Sequence, residues 1–222
     1  MKLSLILEQA RAGELASVSK KDKSDQVVVA FLNLALVALY NRFQLATQEA
    51  IITLRPDIPK TVYTMDSSDA DVRVAGSPML DDEFMSIVYA LNEDGSQVTV
   101  NDESDPLSIY TVSYNQLQIP LLETNAFVSV IYRTNPALIS FADNNDGNGN
   151  ATEVDVKLPL QLLEPALHYI GYRAHGAIDG NVKAENNTHY TRFIMACNNA
   201  EKLGVLTADD TVSASVEMKG FL

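Results

Sequence analysis

The stretch VVVAFLNLALVALYNRF, residues 27–43, decides the fold because it is apolar on nearly every side of a helix. Apart from Asn33, residues 27–40 are apolar, and this run of about 14 residues is shorter than the roughly 20 that cross a bilayer. A helix with so little polar surface has to be surrounded by other elements. The stretch therefore predicts a helix at the centre of the core, with Phe31 and Leu34 buried.

Upstream, the first dozen residues predict a short amphipathic helix that ends near Gly13. Its apolar positions recur at helical spacing and are Leu3, Ile6, Leu7 and Ala10. A polar connector follows, and Ser24 or Asp25 can cap the core helix by accepting hydrogen bonds from its free N–H groups. The chain is therefore predicted to open with a pair of helices.

The last third of the chain predicts a second helix pair. Pro165 suits the first turn of a helix, where its missing N–H is not needed. The apolar stripe of that helix is Leu163, Ala166, Leu167, Ile170, Ala174 and Ile178. Asn186 or Asn187 can cap the final helix, and Gly204 ends it. The inner face of the final helix is predicted to be Tyr190, Phe193, Ile194, Cys197 and Ala200.

Between the two pairs, the periodicity changes to the alternation that is typical of strands. The strand candidates are QEAIITL (48–54), TVYTM (61–65), FMSIVYAL (84–91), SQVTV (96–100), SIYTVSY (108–114), LQIPL (117–121) and AFVSVIYRT (126–134). Gly95 can take the positive φ that a hairpin of this loop length commonly needs. We expect these runs to form a small antiparallel sheet.

Each helix pair alone would expose its apolar stripe, so the two pairs are expected to meet. The predicted fold class is α+β, a four-helix bundle with an inserted antiparallel β-sheet region. Residues 1–45 and 158–204 are assigned to the bundle and residues 46–142 to the β-rich insertion. Residues 143–157 are assigned to a flexible acidic Asn-Gly loop and residues 205–222 to a C-terminal tail.

The net charge of −13 is concentrated in the middle of the chain. Residues 61–160 carry 3 Lys or Arg against 16 Asp or Glu, whereas residues 1–60 carry 8 against 6. A protein that grips DNA needs basic side chains to replace counterions on the phosphates, and this composition argues against one. The acidic residues either form a negatively lined surface or only keep the segment soluble. The candidate acidic surface is Asp81, Asp82, Glu83, Asp102, Glu103 and Asp105.

The sequence predicts no catalytic residue, because the common motifs for nucleotide binding, zinc proteolysis and serine hydrolysis do not occur in it. Cys197 is the single cysteine and is predicted to pack as a small apolar residue. The segment NNDGNGNATEVD, residues 144–155, departs from a calcium loop at Asn144 and Asp155, and we interpret it as a linker. His168 and His175 share a face of the third helix, but their spacing is longer than the i, i+4 of helical metal ligands. We interpret both as structural histidines and predict no metal and no cofactor.

The order of segments resembles the head-to-tail adaptor family of tailed bacteriophages, in which a helix pair, a β-rich insertion and a second helix pair make one subunit of a ring. The phrases that carry the resemblance are LILEQAR (5–11), VVVAFLNLALVALYNRF (27–43), VSVIYRTNPALIS (128–140), LPLQLLEPALHYIGYRAHG (158–176) and NNTHYTRFIMACNNAEKLG (186–204). The β-rich part of this chain is longer and more acidic than the family pattern.

The resemblance implies a non-enzymatic virion protein of the phage neck, made in the host cytoplasm, that forms a ring of about twelve copies. The implied partners are its own copies, the portal protein above and a tail tube or nozzle protein below. DNA would pass through the ring without specific binding, which suits a wall poor in Lys and Arg. No membrane is involved; the segment after Lys2 is broken by Ser4 and Glu8, unlike a secretory signal.

Residues 205–222 lie outside the resemblance, and their apolar side chains have no obvious core to join. We interpret this tail as an arm that docks on the portal or a neighbouring subunit, with a frayed terminus as an equal alternative. Its candidate docking residues are Val212, Val216, Met218, Phe221 and Leu222. The alternatives for the whole chain are another phage neck or tail-completion protein, a metal-dependent or carbohydrate-binding β-rich module, and an enzyme whose site is assembled from scattered residues.

Overall fold

The structure is a computed structural model that describes residues 1–21, 23–55, 60–66, 68–74, 84–120, 127–141, 153–179, 188–205 and 207, with only the backbone for residues 177–179. It divides into two compact units. The first, here called the helical unit, consists of Met1–Gln44 and Pro136–Ala208. The second, here called the β unit, contains Leu45–Asn135. The helical unit is therefore built from both ends of the chain.

The described residues form four α-helices, and all four belong to the helical unit. They are α1 (Leu3–Ala12), α2 (Asp25–Arg42), α3 (Leu163–Asp179) and α4 (Thr188–Lys202), and a single 3₁₀ turn at Leu160–Leu162 leads into α3. The predicted inward stripe of α1 is confirmed, because Leu3, Ile6, Leu7 and Ala10 are all buried. The predicted caps of α4, Asn186 and Asn187, lie outside the described residues.

The helices do not form the predicted four-helix bundle. Helix α3 packs against each of the other three helices, whereas α1 and α2 contact each other only slightly. Extended segments take up part of the helical surface instead, and their buried apolar side chains are Ile139, Val156 and Leu158. The side-chain amide of Asn33 donates to the carbonyl of Ile139 and accepts its N–H, both at 2.9 Å. Segments that are neither helix nor strand therefore cover apolar surface that we expected other helices to cover.

Helix α2 buries one side rather than its whole surface. Its buried residues are Asp25, Val28, Val29, Leu32, Ala35, Leu36, Leu39 and Tyr40. The prediction for Leu34 was wrong, since 40% of it is exposed, and Phe31 is only half-buried. The side chain of Ser24 makes no capping hydrogen bond, and Asp25 instead forms an ion pair with Arg11 of α1. From the apolar composition of α2 we expected the rest of the helical unit to cover this helix on all sides. In the structure it covers one side.

The described part of the β unit contains eight strands: β1 (Thr47–Thr53), β2 (Val62–Thr64), β3 (Val72–Val74), β4 (Phe84–Asn92), β5 (Gln97–Val98), β6 (Tyr110–Ser113), β7 (Gln116–Gln118) and β8 (Phe127–Thr134). They form two antiparallel sheets rather than the single small sheet that we predicted. One sheet has the order β3-β1-β8-β4-β5, and the other has the order β2-β7-β6. The predicted hairpin is confirmed, because β4 pairs with β5 and Gly95 has a φ of 81°.

One hydrophobic core serves both sheets of the β unit. It joins Ala50, Val130 and Tyr132 of the five-stranded sheet to Tyr63 and Leu117 of the three-stranded sheet. Strand β8 lies at the centre of the larger sheet, where Val130 pairs with Ala50 on one side and with Ala90 on the other. The small side chains at these two neighbouring positions leave room for larger ones across the core.

Candidate functional site

Half of the predicted acidic surface lies in the loop between β5 and β6. Asp102 accepts hydrogen bonds from the backbone N–H and the hydroxyl of Ser104, at 2.9 and 2.6 Å. These bonds lower the pKa of Asp102 below its ordinary value. Asp105 accepts from the hydroxyl of Thr99 at 2.7 Å, and Glu103 is exposed. The carboxylates of Asp102 and Asp105 thus hold the loop's shape as well as supply its charge. The other predicted members, Asp81, Asp82 and Glu83, lie outside the described residues.

A second acidic cluster, which we did not predict, has its own cations. The Nζ atom of Lys60 lies 2.5 Å from Oδ1 of Asp69 and 2.9 Å from Oδ2 of Asp71. The guanidinium of Arg55 lies 2.8 Å from Asp71 Oδ1. Burial opposes ionisation of Asp69, but hydrogen bonds from Lys60 and from the backbone N–H groups of Thr64 and Asp71 lower its pKa below the ordinary value. This cluster ties the chain before β2 to the turn before β3.

Most of the predicted linker, residues 143–157, and most of the predicted docking arm lie outside the described residues. Residues 142–152 and all five candidate docking residues of the tail lie outside the described part. Asp155, at the end of the calcium-like segment, faces Lys2 at 3.2 Å. At the start of the tail, the N–H of Val205 donates to the carbonyl of Ala200, and Thr207 forms a β-bridge with Phe43. The first residues of the predicted arm therefore contact the helical unit.

Cys197 is fully buried on the inner side of α4, as its position in the pattern predicted. Burial raises the pKa of its thiol to about 11. Because the thiolate is the nucleophilic form of cysteine, this residue is unsuited to covalent catalysis near neutral pH.

All three histidines of the chain converge on Glu14, which follows α1. The Nδ1 atom of His168 lies 3.0 Å from Oε1 of Glu14, and the Nδ1 atom of His189 lies 2.5 Å from Oε2. The alignment of the second contact is poor for a hydrogen bond, so we describe it as a short polar contact. The Nε2 atom of His175 lies 3.0 Å from the backbone oxygen of Glu14. We call these four residues the histidine cluster.

The packing around the histidine cluster is tight. The imidazole rings of His175 and His189 stack with their centroids 4.6 Å apart and their planes 5° from parallel. A Cβ atom at Gly171 would lie 2.8 Å from Nδ1 of His189 and 3.0 Å from Oε2 of Glu14. Glycine at this position of α3 is therefore what allows α4 and the segment after α1 to approach so closely.

The sequence pattern identified the two histidines that α3 contributes to the histidine cluster and missed the two residues that other segments contribute. His168 and His175 were correctly placed on one side of α3, but Glu14 and His189 were not considered. The missed signal was Gly171, which lies between the two histidines on the same helical face. A glycine inside a helix costs stability relative to alanine, so its presence between two polar residues indicates that another part of the chain comes close there.

The histidine cluster includes one imidazole with a shifted pKa, that of His189, which burial lowers below its ordinary value. It is not arranged as a metal centre: among the described residues, no group of three or more His, Cys, Asp and Glu could hold a metal ion. Within that same part of the chain, no helix is both long and apolar enough to span a membrane. No known family model matches this chain, and no curated protein matches it.

Proposed function

We propose that this chain is a structural subunit of the virion of a tailed bacteriophage, a head-to-tail adaptor that forms a ring between the portal and the tail. The observation that supports the proposal is the order of helical and strand segments along the chain. Segments from both ends form the helical unit, and the antiparallel strands of the β unit are inserted between them. This is the segment order of the adaptor family that the sequence resembles, although the helices pack around α3 instead of in a bundle.

The charge of the β unit supports a ring through which DNA passes. Residues 45–135 contain 14 Asp or Glu and only 4 Lys or Arg. Two of those four cations, Arg55 and Lys60, already contact Asp69 or Asp71. Few basic groups are then left to hold phosphates, so duplex DNA would slide past such a surface without binding to it.

We assign the contact between copies to the outer side of α2. Leu34 and Val37 are 40% and 38% exposed there, and Ala30 is exposed one turn before Leu34. Single exposed apolar residues are ordinary in proteins, but three at helical spacing on one helix form a stripe that a neighbouring copy can cover. A ring multiplies one such contact around its circumference, so each contact can be small.

The test is the oligomeric state of the full chain, alone and mixed with the portal protein encoded in the same genome. Light scattering and negative-stain images should show rings of about twelve copies, at least when the portal is present. A chain that stays monomeric in the presence of that portal would contradict the proposal.

A matched pair of double variants then tests the assigned contact. Leu34→Asp with Val37→Asp should abolish the ring, because each carboxylate would have to be buried without a partner. Leu107→Asp with Val112→Asp adds the same charge at exposed apolar positions of the β unit, where both residues are 53% exposed, and should leave the ring intact. Loss of the ring only in the second variant would contradict the assignment to α2.

A further inference from the structure

The histidine cluster joins three separate parts of the helical unit. Glu14 follows α1, His168 and His175 lie on α3, and His189 lies in the first turn of α4. A carboxylate and a carbonyl oxygen can only accept hydrogen bonds, so the ring nitrogen that faces Glu14 donates in His168 and in His175. His189 adds a short polar contact to the other carboxylate oxygen, so the negative charge of Glu14 lies against two imidazole rings.

The three histidines differ in the charges that face them within the described chain. His168 faces two carboxylates, because Oε1 of the exposed Glu164 lies 3.6 Å from its Nε2 atom and Glu14 faces its Nδ1 atom. His189 faces Glu14 from the segment after α1, and the positive charge of Arg192 on α4 acts on it. For His175 the facing group is the uncharged backbone oxygen of Glu14, and its ring is stacked on that of His189.

This distribution leaves the stacked pair of His175 and His189 with a single carboxylate, that of Glu14. A first imidazolium can be balanced by the carboxylate of Glu14. Protonation of both stacked rings would place two positive charges 4.6 Å apart at the ring centroids, where the carboxylate of Glu14 faces His189 and only its backbone oxygen faces His175. Because His175 lies on α3 and His189 on α4, movement of α4 away from α3 would separate the two rings.

We propose that Glu14, His168, His175 and His189 form an acid-released latch, which holds α4 and the segment after α1 against α3 at neutral pH and lets them separate in mild acid. His175 and His189 are the release pair, and His168 keeps its compensation from Glu14 and Glu164. The latch is independent of the adaptor proposal, because it concerns how the helical unit responds to protons, whatever that unit binds.

The pKa of His189 agrees with this mechanism. Burial lowers it below the ordinary value, Glu14 raises it in part, and His175 and Arg192 lower it again. A histidine whose folded-state pKa is below its unfolded value near 6.5 favours the neutral form in the folded protein. Its contribution to stability is therefore fully present above pH 6.5 and is lost as the pH falls from there through the folded-state pKa.

The experiment is hydrogen exchange of the full chain at pH 7.5 and pH 5.5, corrected for the intrinsic pH dependence of exchange. Amides of α4 should lose at least tenfold in protection at the lower pH. Amides of β8 serve as an internal control, because residues 45–135 contain no histidine. Equal protection of α4 at both values of pH would overturn the proposal, and this result needs no variant.

A non-titrating variant tests whether the two stacked histidines are the cause. In His175→Gln with His189→Asn, each amide can place an N–H group near the ring nitrogen that it replaces, but neither can take up a proton. This variant should protect α4 equally at both values of pH, whereas the control His168→Asn, which keeps an N–H group near the replaced Nδ1 atom, should keep most of the wild-type difference. If the double variant keeps the full difference, or does not fold while His175→Gln alone folds and keeps it, the release pair is wrong.

Discussion

Leu32 and Leu34 lie two positions apart on α2, yet the first is fully buried and the second is 40% exposed. Replacing Leu32 by alanine should lower the free energy of unfolding of the helical unit by about 2 to 5 kcal/mol, because it leaves a cavity in a packed core. Replacing Leu34 should cost less than about 1 kcal/mol, since its side chain already contacts solvent. Urea denaturation followed by the helical signal measures both, and equal losses would mean that α2 is buried on both sides.

At the scale of residues, spacing predicts which side chains share a face but not what covers that face. The stripe of α1 was correct because its polar residues mark the outer side clearly. On α2 no such contrast exists, so the pattern could not reveal that Leu34 lies on the outer side. Glu14 was missed for a related reason: it meets His168 across 154 positions of sequence, and periodicity carries no information about contacts between elements.

Among the elements of the β unit, the short strands β2 and β3 depend on the ion pairs of Lys60. Replacing Lys60 by methionine removes the charge that faces Asp69 and Asp71 and should cost about 1 to 3 kcal/mol. The loss should also shift acid unfolding to higher pH. Asp69 has a lowered pKa in the folded chain, so its stabilising effect is present above the unfolded value near 3.9 and disappears as the pH falls through the folded value.

Acid titration followed by the near-ultraviolet signal of the tyrosines in the β unit measures this shift. Arg73→Met is the control, because Arg73 is a cation of the same unit whose side chain is exposed on β3. The interpretation fails if the control and Lys60→Met unfold at the same pH.

The end of the chain supplies another element that can be tested by removal. Deleting residues 208–222 keeps the bridge between Thr207 and Phe43 and the hydrogen bond from Val205 to Ala200. We expect the thermal midpoint of the helical unit to stay unchanged, while attachment to the portal weakens several-fold for want of the proposed docking arm. Calorimetry and co-sedimentation with the portal measure the two effects. Unchanged attachment to the portal would mean that the tail is an ordinary terminus. A lower thermal midpoint would mean that it is part of the fold of the helical unit.

Element boundaries were predicted well wherever the sequence has a clear period or a turn residue. The four helices and the β4-β5 hairpin are examples, the last because Asn92 to Gly95 limits the connection. Strand β3 was missed because its alternation extends over only three residues, Val72–Val74, and no longer β-branched or aromatic run surrounds them. It is recognised only through its neighbour, since Val72 and Val74 pair with Ile52 and Ala50 of β1.

For the molecule as a whole, the sequence indicated the α+β class but gave the wrong packing. The bundle was inferred from apolar stripes that had to be covered, and the inference assumed that only helices could cover them. In the structure, Ile139, Val156 and Leu158 are buried on irregular segments, and Tyr40 donates to the carbonyl of Lys157. Irregular chain has no periodicity, so its share of a core cannot be read from a single sequence.

The division into two units leads to a prediction about independent folding. Every described strand of the β unit has its partners within residues 45–135, and the described part of its core lies there too. The two ends of this segment are adjacent, because Thr47 pairs with Arg133 and the N–H of Thr134 donates to the carbonyl of Ala46 at 3.2 Å. Residues 45–135 expressed alone should therefore fold cooperatively, with dispersed amide resonances and a single unfolding transition.

The complementary chain should fold as well. Joining Gln44 to Pro136 through about four Gly and Ser residues replaces the β unit by a short closed loop, whose entropic cost is small compared with that of the native insertion. In this joined helical chain, the amides of α3 and α4 should keep the hydrogen-exchange protection that they have in the full chain at neutral pH. As a control, Ala50→Asp places a charge in the core of the β unit, so it should unfold the excised β unit. If either excised unit is unfolded while the full chain is stable, the two units depend on each other, and the chain has one folding domain rather than two.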